Sequence, residues 1–144
     1  MPTPYEDLYT AAKAVMASVN ALTSQTVSQA PTNLGEDFRV ASGEVEYQIQ
    51  IAAEQDWHRG SVQYPRARCV IRLHHYAATL ASEETFLHVT MSHMADEFME
   101  RAKWSARTGV HDLDIETEPE ISDGEREGNV ISFEATATVL MDSV

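Results

Sequence analysis

Residues 131–141 read ISFEATATVLM, and this stretch decides the fold class of the chain. Apolar and polar side chains alternate along it, which is the pattern of a strand with one buried face and one exposed face. The apolar members are Ile131, Phe133, Ala135, Ala137, Val139 and Met141. Strands of this kind are typical of antiparallel sheets, because parallel sheets are usually covered on both faces. The segment therefore predicts an antiparallel sheet that is covered on one side.

Three further stretches show the same alternation. They predict strands over residues 45–52, 66–76 and 111–116, and a short piece at 38–40 fits one more. We expect 45–52 to pair with 66–76 as a hairpin that ends in a polar connection over 54–65. The chain thus supplies four or five strands.

Residues 3–6, TPYE, predict the start of a first helix. Thr3 takes the N-cap position and Glu6 completes a capping box, with proline between them at the first helical position. Apolar residues then recur at steps of three and four, which places them on one face: Tyr5, Leu8, Ala12, Val15, Val19 and Leu22. We expect the helix to end near Leu22, and a loop rich in Ser, Thr, Gln and Asn to run from Thr23 to Glu36.

A second, longer helix is predicted from Ser82 to just before Gly109. Acidic residues in its first turn favour a helix N-terminus, and glycine is a common residue just after a helix end. Its apolar stripe consists of Leu87, Met91, Met94, Phe98 and Ala102. An acidic, turn-rich connection over 119–129 separates the last two strands.

The element order is helix, two or three strands, helix, two strands. It contains no repeated strand-helix-strand unit, so a doubly wound parallel sheet is disfavoured. We predict one α+β domain over residues 1–144, in which two helices cover one face of a mostly antiparallel sheet of four to five strands.

Charge and hydropathy exclude two classes of partner. The chain has 23 Asp and Glu against 10 Lys and Arg, for a formal net charge of −13. A protein this acidic repels phosphate backbones, so nucleic acid is not expected to bind directly. No apolar run approaches the roughly 20 residues that a membrane span requires, so we expect no membrane partner.

The sequence carries no recognisable motif for catalysis, a cofactor or a metal. It lacks a Gly-rich phosphate loop and a G-x-S-x-G elbow, and the helical pair His88 and His93 does not have the spacing of zinc ligands. Cys69, the only cysteine, stands in an apolar run and is expected to be buried and unreactive. We therefore predict that the chain is not an enzyme and needs no cofactor.

One basic and one acidic cluster are candidates for contacts between subunits. The basic cluster consists of Arg59, Arg66, Arg68 and Arg72, and the acidic cluster of Asp112, Asp114 and Glu116. The acidic residues alternate, which favours one solvated face of a strand over a calcium loop. The arginines either pair with Glu46 or these acids within the chain, or meet the acids of a neighbouring subunit and fix the register of a ring.

The element order, the acidity and the closing strand NVISFEATATVLM (129–141) resemble the tail terminator proteins of long-tailed bacteriophages. The resemblance extends over nearly the full chain. It implies a hexameric ring in the virion that caps the tail tube, stops its polymerisation and joins it to the head-tail connector after assembly in the host cytoplasm. DNA would pass an acidic channel without binding. The polar segment from Thr23 to Glu36 departs from the family and leaves open a neck or head-tail completion role.

A second hypothesis is a small-molecule-binding or enzymatic domain. Its pocket would lie between the sheet and the helices, with Trp57, His74 and Tyr76 converging on it. A fold of this class does not decide between the two, because α+β domains serve many functions.

Overall fold

The computed structural model describes residues 3–30, 43–114 and 116–142. Helix α1 (Pro4–Leu22) begins at the predicted capping box, in which the Thr3 hydroxyl accepts a hydrogen bond from the N–H of Glu6 and the Glu6 carboxylate accepts one from the N–H of Thr3. The buried residues of this helix share one face: Leu8, Ala11, Ala12, Val15, Met16 and Val19. This face packs against the inner side of the sheet.

Seven strands in the described part of the chain form one mixed sheet. They are β1 (Val27–Gln29), β2 (Val45–Arg59), β3 (Val62–Tyr76), β4 (Val110–Leu113), β5 (Glu120–Ile121), β6 (Glu125–Glu127) and β7 (Val130–Met141). The order across the sheet is β1-β2-β3-β7-β4, and β5 and β6 also pair with β7. The α+β class and the last strand are as predicted, and the sheet has more strands than expected.

Strand β1 corrects the predicted loop and the predicted strand direction. It lies inside the loop expected over 23–36. It also pairs with β2 in parallel, at Val27 opposite Val45, although a mostly antiparallel sheet was expected. Three residues are too short for a visible alternation, and the backbone hydrogen bonds that hold them come from a distant strand. The remainder of the predicted loop and the piece at 38–40 lie outside the described residues.

The predicted hairpin is present and is longer than expected. The stretches 45–52 and 66–76 pair as predicted, with Ile49 opposite Ile71, and the ladder continues to Arg59 opposite Val62. The polar connection expected over 54–65 is therefore strand, closed by a two-residue turn. Its first residue, Gly60, has a φ of +62°, which non-glycine residues rarely adopt. Polarity misleads here because an exposed strand carries polar residues as readily as a loop.

The second helix is divided into four pieces. They are α2 (Leu80–Thr85), a π-helical turn (Phe86–Thr90), α3 (Met91–Met99) and α4 (Arg101–Ser105). The N-cap is Thr79, so the helix begins before the predicted Ser82, which lies at the third helical position and closes a capping box. Glu100 is extended and breaks the helix. The break lets the Trp104 indole N–H donate to the carbonyl oxygen of Phe98 at 2.7 Å.

The core lies between the helices and the inner face of the sheet. Its largest fully buried side chains include Trp104, Phe86 and Phe98. Cys69 is buried as predicted, and this burial raises the pKa of its thiol to about 12. A thiol with so high a pKa is a poor nucleophile at neutral pH.

Candidate assembly surface

The face of the sheet that points away from the helices is polar. We call it the outer sheet face and define it by the residues Glu46, Gln48, Arg66, Arg68, Arg72, His74, Ser132, Glu134 and Thr138. Their neighbours in the strands point into the core, since side chains alternate along a strand. Most of the arginines predicted for subunit contacts are thus brought together on one face.

Arg66 and Asp114 form an ion pair at one end of this face. The Nη1 atom of Arg66 lies 3.2 Å from Oδ2 of Asp114, and the two side chains are 22% and 3% exposed. The Nε–H of Arg66 also donates to the carbonyl oxygen of Gln55 at 2.9 Å. The expected solvation of Asp114 is therefore wrong, because this carboxylate is buried against a guanidinium.

β4 has a bulge just before the acidic cluster, and the alternation over 112–114 is kept beyond it. Val110 pairs with Met141 and Asp112 with Leu140, so His111 is an extra residue in the ladder. Asp112 is half-buried and lies 3.5 Å from the Nε of Arg101. Glu116 is exposed. These carboxylates therefore do not form one solvated strand face.

Arg72 also has a partner within the chain. Its Nε lies 3.1 Å from Oε2 of Glu134 on the neighbouring strand, whereas the sequence favoured Glu46 or the acidic cluster. Arg68 lies between Arg66 and Arg72 on the outer sheet face and is exposed. Pairing within the chain thus accounts for Arg66 and Arg72, and a contact between subunits through this cluster stays a prediction.

Residues 55–65 form a two-stranded hairpin arm. They lie beyond the pair Glu54 and Arg66, the last point at which β3 also pairs with β7. Trp57 and Tyr64 face each other across the arm with ring centroids 5.7 Å apart, and Tyr64 stacks on His111 at 4.3 Å. The Asp56 carboxylate accepts a hydrogen bond from the side-chain amide of Gln63. Within the described residues, no third strand pairs with the arm.

An acidic groove lies between the end of α3 and β5, where the sequence predicted only turns. Met99 and Pro119 border two adjoining cavities of about 450 and 280 Å³. Ile121 completes the apolar floor, and Glu118 and Glu120 stand at the rim. The sequence signal for this groove is weak, since its floor comes from one methionine and two residues 20 or more positions away.

The three residues expected to line a ligand pocket do not converge. Trp57 is in the arm, whereas His74 pairs with Glu46 at the opposite end of the hairpin. That separation is eleven residues along β2, or about 36 Å. A cavity of about 380 Å³ contains His74 and is lined by Arg72, Ser122, Glu125, Ser132, Phe133 and Glu134. Within the described ranges, no three His, Cys, Asp or Glu residues are placed to hold a metal ion.

The adjacent histidines point to opposite faces, as expected for a strand. His75 is fully buried and stacks on Phe86 at 4.8 Å, with Nδ1 3.0 Å from the carbonyl oxygen of Glu44. Burial lowers its pKa, which a hydrogen bond to Glu44 and the charge of Glu83 partly oppose. Burial, with a smaller contribution from the charge of Arg72, lowers the pKa of His74 to about 4.

We expect acid to destabilise the fold through His74. Because its folded pKa lies below the ordinary 6.5, the unfolded chain binds the proton first, and stability is lost as the pH falls from 6.5 to about 4. Partial exposure reduces this loss to about 1–2 kcal/mol. Urea unfolding at pH 6.5 and at about pH 4 measures the drop in the free energy of unfolding. The drop should be larger in the wild type than in His74→Asn by this amount. A His88→Gln control, at an exposed position, should behave as the wild type, and equal losses in all three proteins would contradict the prediction.

No family model matches the sequence, and no curated protein matches it. The chain is similar in structure to a chain of the virion of a native gene transfer agent particle, with a TM-score of 0.47, 12% identity, and coverage of 95% of this chain and 92% of that chain. A second solved chain, named without reference to an activity, has a TM-score of 0.54 and 9% identity, over 96% of this chain and 95% of that chain. Among the described residues, no helix is long and apolar enough to cross a bilayer. The second similarity shows a shared fold, and the first, with a TM-score below 0.5, carries no argument about role.

Proposed function

We propose that this chain is a structural virion protein that forms a ring at the end of a phage tail tube. The ring ends polymerisation of the tube and joins the tube to the head-tail connector. The alternative role within the same assembly is that of a neighbouring neck or head-tail completion protein. Assembly takes place in the host cytoplasm, and the ring itself is non-catalytic. The sequence resemblance to tail terminators gives this proposal its direction.

The hairpin arm is the observation that carries the proposal. Two-stranded ribbons without a third strand are marginal in isolation, and their open edges favour pairing with another chain. Here the arm is fixed at its base by Arg66, through its bonds to Gln55 and Asp114, and by the Tyr64 and His111 stack. A protruding element that is held in place, and whose edges pair with no other strand in the described part of the chain, is suited to contact another subunit.

The proposed passage of DNA uses a different set of acids from those first expected. Asp114 does not face a channel, because its carboxylate is buried in the ion pair with Arg66. Exposed carboxylates are concentrated instead in residues 116–127, which contain six acids and one arginine. Such a surface repels phosphate and would let DNA pass without sticking.

Native mass spectrometry of the purified chain tests the proposal. We expect a six-subunit species, and rings of matching size in electron micrographs of the same sample. The physical reason is that, within the described residues of one subunit, no third strand covers the edges of the arm. A monomer that carries a co-purified small molecule would overturn the ring in favour of a ligand-binding domain.

A further inference from the structure

We propose that Asp123 and Gly124 form a site of spontaneous backbone isomerisation, at which the folded chain converts aspartate into isoaspartate through a cyclic imide. The two residues lie in the connection between β5 and β6, and the reaction uses only their own atoms and water. The inference goes beyond the proposed ring and does not depend on it. It follows from a bulge in the sheet, an exposed carboxylate and a glycine that the packing requires.

The connection between β5 and β6 is a bulge in the ladder along β7. Ile121 in β5 lies opposite Ala135. Glu125 in β6 lies opposite Ser132. Three residues on this side of the ladder therefore face only two on β7, so one residue is extra. Such an extra residue is left unpaired, and the ladder is locally disrupted around it.

The hydrogen bonds of the connection place the extra residue at the proposed site. The N–H of Ser122 donates to the carbonyl oxygen of Glu134 at 2.8 Å, so Ser122 is still held by the ladder. Asp123 and Gly124 are left opposite Phe133 alone. The backbone between these two residues is thus less constrained than that of the strands on either side.

The group that is attacked is the side-chain carboxyl of Asp123. The residue is exposed, and among the described residues its carboxylate has no hydrogen-bonding or ionic partner. Asp56, Asp112 and Asp114, by contrast, all accept hydrogen bonds. Nothing in the described part of the chain therefore holds the Asp123 carboxyl away from the next backbone nitrogen.

The attacking group is the backbone nitrogen of Gly124. Among the described groups its N–H donates to no acceptor, and a glycine has no side chain to shield the nitrogen. Packing requires glycine here, because a Cβ atom at position 124 would lie 2.7 Å from Cζ of Phe133. The Phe133 ring is itself packed against Phe86, with centroids 5.7 Å apart. The residue that lets this ring approach is also the one that leaves the nitrogen open to react.

The reaction balances without a further reagent. The nitrogen of Gly124 attacks Cγ of Asp123 in its neutral carboxyl form, and the amide proton leaves with the carboxyl hydroxyl as water. Water then adds to one of the two carbonyl carbons of the imide. Addition at the former backbone carbonyl leaves a chain that runs through Cγ, with a free carboxylate on Cα. One water is released and one is consumed, so the mass of the chain is unchanged.

Isomerisation lengthens the main chain by one carbon atom at the bulge. β5 has two residues and β6 has three, so the pairing on either side of the site is short. Short pairings lose their register readily, because few hydrogen bonds hold them. We therefore expect faster hydrogen exchange over 120–127 in the isomerised chain than in the original one.

Incubation of the folded, full chain in water enriched in heavy oxygen tests the site. The chain is kept for weeks at neutral pH and physiological temperature, digested in ordinary water and fragmented by electron transfer in a mass spectrometer. We expect one heavy oxygen at residue 123, and an isomer of the same peptide that elutes separately. Asp96 is the internal comparison and should gain no label, because it is exposed but the N–H that follows it lies within α3.

Asp123→Glu is the matched variant. It keeps the charge, but its longer side chain would have to close a larger ring, which forms far more slowly, so residue 123 should stay unlabelled. Circular dichroism checks that the variant is folded. A free peptide of residues 119–129 gives the reactivity of the same sequence without the fold.

The outcomes decide the proposal independently of the ring. Labelling at residue 123 in the folded wild type, and its absence in Asp123→Glu, would support the site. A folded wild type labelled no more at residue 123 than at Asp96 would overturn it, and a labelled free peptide would then show that the fold protects these residues. Equal labelling of the wild type and the variant would overturn it as well. None of these results changes the number of subunits that native mass spectrometry measures.

Discussion

Replacement of Trp104 by alanine is expected to lower the free energy of unfolding by about 3–5 kcal/mol. The side chain is fully buried, and its ring meets Phe98 edge-on with centroids 5.5 Å apart. The substitution leaves a cavity and also removes the donor to the carbonyl oxygen of Phe98, at the point where the helix breaks. Both effects act in the same direction.

Urea unfolding followed by circular dichroism measures this loss, and Trp57 provides the matched control. Trp57→Ala removes the same side chain from the partly exposed arm, where the loss should stay below about 1 kcal/mol. Similar losses in the two variants would show that Trp104 does not hold α4 against α3 as the structure indicates.

Replacement of Asp114 by alanine is expected to cost about 2–3 kcal/mol, because it leaves Arg66 without its buried partner. Because Arg66 is partly exposed, we expect this cost to be smaller than is usual when one partner of a fully buried ion pair is removed. The N–H of Glu116, which donates to Oδ1 of Asp114 at 3.0 Å, also loses its acceptor. Hydrogen exchange should become faster at the base of the arm as well.

Glu134→Ala is the comparison for this ion pair. It removes the carboxylate opposite Arg72, in a pair whose side chains are 36% and 46% exposed. Exposed pairs contribute about 0–1 kcal/mol, so this variant should unfold close to the wild type. A loss for Asp114→Ala no greater than that for Glu134→Ala would mean that burial of the carboxylate does not matter.

The sequence predicted the elements whose signal is local. The capping box at Thr3 and the alternation over 131–141 each lie within a short window, and both are present. The pairing of 45–52 with 66–76 also followed from alternation and proximity in the chain. In these segments propensity, pattern and packing agree, which is why simple rules suffice.

The features that were missed depend on contacts between distant residues. Strand β1 exists because β2 supplies its hydrogen bonds, and Asp114 is buried because it pairs with Arg66 of the distant strand β3. The break at Glu100 is accompanied by the bond from the Trp104 indole to the carbonyl oxygen of Phe98. The sequence placed the candidate arginines on one strand, yet it could not decide which carboxylates they meet, because those lie 48 and 62 positions away.

The outer edge of β7 is covered by three short strands in the described residues, and the longest of them has four residues. Two of these strands carry exposed glutamates. An interrupted, negatively charged border offers no continuous template for a foreign strand. Copies at high local concentration are thereby protected from adding strands to one another at this edge of the sheet. Fibril formation through this edge therefore does not compete with ordered association.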